Sequence, residues 1–93
     1  MQHHIAMSSL QKLVEKFVYK PETVITTGEV RRLLEAFGYG EKKKRRSECL
    51  FHKKGATVIN VPTVKGRGVK SIYVKRLTKI LNLEEWIEEH KGD

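Results

Sequence analysis

The sequence has one cysteine in 93 residues, Cys49, which excludes an internal disulfide framework and fits a reducing compartment. No apolar run reaches signal-peptide or membrane-spanning length, so the expectation is a soluble domain in the cytoplasm. Acids are missing from the middle of the chain. Between Lys42 and Lys79, thirteen Lys and Arg face Glu48 alone, a local balance of +12 in a chain whose net charge is +8. The other six cations share the flanks with ten acids, five of them in the last ten residues. Charge separated in this way makes a one-sided positive field that draws polyanions, and nucleic acid is the first partner class it suggests. A basic face that only stays solvated, or that docks an acidic protein, is the plainer alternative. At this length the chain buries roughly 60–65% of its unfolded surface, sufficient for one small core and a single domain over residues 1–93.

Apolar periodicity supplies the elements. Residues 1–7 carry no helical pattern and are expected to be a loose terminus, in which His3 and His4 have no structural task. Leu10, Leu13, Val14, Phe17 and Val18 then form an amphipathic helical stripe, with Ser8 and Gln11 as its capping box and Pro21 as its stop. The β-branched run 23–27 reads as an extended connector. It leads to a second capping box, Thr26 with Glu29, and to a helix from Gly28 to Phe37 with Val30, Leu33, Leu34 and Phe37 on its apolar side; Gly38 is the expected stop. After Gly40 the period becomes two. Three strands are expected, at 41–46, 48–53 and 57–61, with a turn at Gly55 and a stop at Pro62. Alternation places Cys49 and Phe51 on one face of the middle strand, and Glu48, Leu50 and His52 on the other. Lys65 to Gly68 is a glycine-rich loop, and Ser71 opens a helix whose apolar stripe is Tyr73, Leu77 and Ile80 or Leu81. Asn82, capping with Glu85, opens a short acidic helix from Leu83 to about His90, with Trp86 and Ile87 inward. The class is α+β: a three-stranded antiparallel sheet packed on helices, in the α-β-β-β-α order of a double-stranded-RNA-binding domain (dsRBD) over residues 26–81, with an extra helix before it and a short one after.

Several chemistries have little to stand on. One Cys and four scattered His show no zinc-site spacing, so no metal or other cofactor is expected. Gly38-Tyr-Gly40 and Gly66-Arg-Gly68 lack the Lys-Ser or Lys-Thr ending of a phosphate-binding loop. Cys49 shares its face with Phe51, where a small buried hydrophobe is the simpler role than a nucleophile. Acid–base chemistry on RNA remains. Its candidates are Glu48 and His52 as titrating groups, with Lys42, Lys43, Lys44, Arg45, Arg46, Lys53, Lys54, Lys65, Arg67 and Lys70 as phosphate partners. Glu48 and His52, four residues apart on one strand, stand about 13 Å apart at ~3.3 Å per residue, too far for a direct acid–base pair. For Glu48 two roles are open: a base, or a carboxylate that relieves repulsion among Lys44, Arg45 and Arg46.

The blocks 27–39 (TGEVRRLLEAFGY), 46–52 (RSECLFH), 58–62 (VINVP) and 70–81 (KSIYVKRLTKIL) resemble the HicA toxins of bacterial toxin–antitoxin pairs, and the leading helix resembles the N-terminal extension of some YcfA-like members. The resemblance spans roughly residues 10–90. It implies a dsRBD-like fold, metal-independent cleavage of mRNA and neutralisation by a HicB-type antitoxin. The family motif at the start of the middle strand is Gly-Ser-His, its His catalytic; here those positions read Arg46-Ser47-Glu48. Ser47 matches, and a carboxylate replaces the imidazole that would titrate near neutral pH. RNA binding by the basic surface is therefore the firmer implication, and cleavage would fall to Glu48. A non-catalytic module that uses its open sheet face to bind nucleic acid, a partner protein or a second copy of itself is the alternative.

Overall fold

The computed structural model describes residues 2–44, 48–64 and 68–90, and the side chains of 9–42 and of all described residues from 48 onward. Arg45, Arg46, Ser47, Lys65 and Arg67 lie outside the described residues, as do the side chains of Lys43 and Lys44.

Helix α1 runs from Gln2 to Tyr19, which corrects the loose terminus expected for residues 1–7. No Gly or Pro occurs before Pro21 to break it, so Ser8 lies inside the helix and is not its cap. Leu13, Val14 and Phe17 of α1 are buried. After the turn at Pro21, Ile25–Thr26 forms a two-residue strand, β1, where a plain connector was expected. It pairs antiparallel with β5, Gly68–Val69.

Helix α2, Thr27–Ala36, starts at the anticipated capping box: the Glu29 N–H donates to Thr26 Oγ1 (3.1 Å), and the Thr26 N–H donates to Glu29 Oε1 (2.9 Å). It ends in a Schellman turn. Gly38, at φ +94°, donates to the Glu35 carbonyl, and Tyr39 donates to that of Leu34. Strands β2 (Gly40–Lys44), β3 (Glu48–His52) and β4 (Ile59–Pro62) form an antiparallel sheet in the order β2-β3-β4. The register pairs Gly40 with His52, Glu41 with Phe51, and Lys43 with Leu50, so Lys42 is a bulge. On the other side of β3, Cys49 pairs with Val61, Leu50 with Asn60, and Phe51 with Ile59. β4 begins two residues later than expected, because Gly55 turns at φ +81° and Ala56 closes back on the Lys53 carbonyl, leaving Thr57 and Val58 exposed in the loop.

Helix α3, Ser71–Ile80, buries Val74 and Leu77. The expected stripe is thus rotated: Tyr73 and Leu81 only flank the core, and Ile80 is 47% exposed. Asn82 does not cap α4 (Leu83–Glu89) with its side chain. It instead ends α3 in the left-handed conformation (φ 52°, ψ 48°) that Asn tolerates, its N–H donating to the Lys79 carbonyl. Leu83 and Ile87 of α4 are buried, and Trp86 packs at the edge.

The buried side chains form one cluster, to which the sheet contributes Cys49, Phe51, Ile59 and Val61, all from one face. The protein is a small α+β domain whose helices and three-stranded sheet share a single apolar interior. Among the described residues, no helix is long and apolar enough to cross a membrane.

Candidate nucleic-acid interface

Strand alternation decides what the sheet presents to solvent. Along β3 burial runs half-buried, buried, half-buried, buried, exposed, and along β4 buried, exposed, buried, half-buried. Glu48, Leu50 and His52, with Asn60 and Pro62 across from Leu50 and Glu48, therefore occupy the face turned away from the core. Gly40 lies opposite His52 on the same face. The alternation read for Cys49 and Phe51 holds: both are buried, Phe51 at 1% exposure.

Within this face the two titrating candidates stand at opposite ends of β3. Glu48 is half-buried beside Pro62, and His52 is exposed beside Gly40, about 13 Å away by strand rise. The structure does not bring them together as an acid–base pair. The side chains of His52 and Asn60 make no hydrogen bond, ion pair or ring contact with any described residue.

The basic candidates divide. Lys42, exposed at the bulge, and Lys54, exposed in the turn after β3, flank the face. The register sets Lys43 opposite Leu50. Lys53, one position past His52, turns the other way. Its Nζ donates to the Phe37 carbonyl (3.0 Å) and lies 5.5 Å from the centre of the Tyr39 ring, so it ties the end of β3 to the α2–β2 turn. Lys70 is exposed just before α3, beside the β1–β5 ribbon, and belongs to a separate surface.

Acids are held elsewhere. Glu29 pairs with Lys16 (2.7 Å), Glu41 with Arg31 (2.8 Å) and Glu22 with Lys75 (2.8 Å). Burial alone would raise the Glu29 carboxyl, but the Lys16 ammonium and the Thr26 N–H and hydroxyl outweigh it and hold it below the ordinary carboxylate range. The hydrogen bond from Lys75 does the same for exposed Glu22, and that to Glu41 raises the Arg31 guanidinium. Glu48 is thus the sole carboxylate among the described residues of the open face.

Compared with models of known protein families, with curated proteins and with solved structures, the chain matches none. Its face has to be interpreted from its own residues. In the sequence, Gly40 marks only a strand boundary and Asn60 only an alternation with Ile59, so neither signals its place on this face. The turn of Lys53 away from the open face depends on the Phe37 carbonyl, sixteen residues away, and leaves no local signal.

Proposed function

We propose that this chain is a HicA-like RNA-binding protein, one half of a toxin–antitoxin pair, with α2, the sheet and α3 in a dsRBD-like arrangement. The observation that carries the proposal is the two-sided sheet. One face is sealed into the core, while the other bears His52 and Asn60 in solvent, with Lys42 exposed at its β2 edge and Glu48 as its one described carboxylate. Phosphates would meet the lysines along β2 and the turn after β3, and a HicB-like antitoxin would act by covering the same face.

The geometry favours holding RNA over cutting it. Glu48 and His52 cannot share a proton across β3, so cleavage would need Glu48 to work with groups outside the described residues. Binding is tested by titrating labelled single-stranded RNA across a salt series. With roughly five phosphate contacts at ~0.7 each, log K against log salt should fall with a slope near −3 to −4. No binding at about 50 mM salt, or an affinity indifferent to salt, rules the proposal out.

A further inference from the structure

The open face has a gap where a cross-strand side chain would normally stand. Gly40 is the partner of His52, and a Cβ built on Gly40 would meet no atom within 4 Å. Neighbouring strands lie ~4.8 Å apart, and opposed side chains fill that interval at about 4.5–5.5 Å between Cβ atoms. Here one side of the pair is empty. The His52 side chain therefore rises from β3 with open space on its β2 side, exposed, and its imidazole makes no hydrogen bond or ring contact to any described residue. Two positions along β2 from the gap, about 7 Å at strand rise, Lys42 is exposed at the bulge.

We infer that the gap over Gly40 seats one unpaired nucleobase of an RNA strand, stacked on the His52 imidazole, with its phosphate on Lys42. The inference rests on the RNA-binding proposal and adds to it the way a base is held. Stacking on a ring is the usual means by which proteins hold single-stranded bases, and imidazole serves in it. Lys42 and Lys54 around the gap match a phosphate-bearing strand better than the aromatic side chain of a partner protein. Only one aromatic ring, that of His52, is described among the face's strand residues, so one stacked base per domain is expected, with the remaining affinity coming from phosphates.

The test uses the full chain and two labelled RNA oligomers of equal length, one normal and one abasic throughout. Wild type should bind the abasic strand about 5- to 100-fold more weakly with the same salt slope, since the base carries no charge. Gly40→Val fills the gap without a positive-φ penalty. It should lose the preference for bases and keep the abasic affinity. His52→Ala should do the same, and His52→Tyr should restore the preference. Equal binding of both strands by wild type, with the salt slope intact, overturns the base seat and leaves RNA binding standing. A preference that survives both Gly40→Val and His52→Ala, in variants that melt as wild type does, overturns this location. Failure of wild type to bind either strand overturns the RNA proposal itself, and the seat with it.

Discussion

Substituting alanine at three glycines should give three different stabilities, because the structure places each under a different constraint. Gly55 has φ +81° and open space around its missing Cβ, so Gly55→Ala carries only the cost of left-handed backbone, about 1 kcal/mol. Gly38 has φ +94°, and a Cβ there would lie 3.2 Å from Lys53 Cε. Gly38→Ala must therefore also displace the Lys53 side chain, which is hydrogen-bonded to the Phe37 carbonyl. That bond is solvent-exposed and adds only about 0.5–1 kcal/mol, giving about 1.5–2 kcal/mol in all. Gly40 has neither constraint, and alanine also removes backbone freedom from the unfolded chain, so Gly40→Ala should be neutral or slightly stabilising. For a domain of this size 1 kcal/mol shifts Tm by about 4–8 °C. Thermal melts followed by circular dichroism should accordingly rank Gly40→Ala at or above wild type, then Gly55→Ala, then Gly38→Ala, the last lower by about 6–16 °C. In a Lys53→Ala background the extra loss at Gly38 should vanish and the two turn variants converge. Equal losses at Gly38 and Gly40, or an unchanged gap between Gly38 and Gly55 once Lys53 is removed, would refute the reasoning.

Thr26→Ala removes one side of the α2 capping box and should lower stability by about 1 kcal/mol in urea unfolding, with an unchanged denaturant slope. The Glu29 carboxyl is held below its ordinary range in the fold, so its contribution is present above the unfolded pKa and is lost as pH falls through the folded one. The urea midpoint of wild type should therefore drop on acidification below the ordinary value of 4.5, and Glu29→Gln should flatten that drop; an identical acid limb in both proteins contradicts it. Induction in bacteria discriminates the roles of Glu48. Arrest of growth by wild type that disappears in Glu48→Ala identifies a catalytic carboxylate, whereas arrest only in Glu48→His identifies a binding scaffold in which the reactive group has been replaced.

What could be read from the sequence was what depends on neighbours along the chain. The Thr26–Glu29 box, the Gly38 stop and the alternation that buries Cys49 and Phe51 all depend on residues within four positions of one another. The β1–β5 ribbon was invisible because two-residue strands have no period, and Ile25 finds Val69 only after the whole sheet has intervened. Asn82 ends α3 and does not cap α4; Asn suits both a helix start and a left-handed helix end, and local sequence does not separate the two. The phosphate partners were chosen by charge, which says nothing about direction. One step of alternation past His52 is what turns Lys53 from the open face toward the α2 carbonyl end.

The bulge at Lys42 bears on how the basic run could change length. Between Glu41 and Lys44 the chain has one residue more than β3 can oppose. Removing a single lysine would absorb the bulge and leave Glu41 opposite Phe51, Gly40 opposite His52, and a lysine opposite both Leu50 and Cys49. The number of cations on this edge is thus decoupled from the register of the sheet, whereas a one-residue change within β3 would exchange its two faces. One charge can be removed along β2 while the register of the face stays fixed.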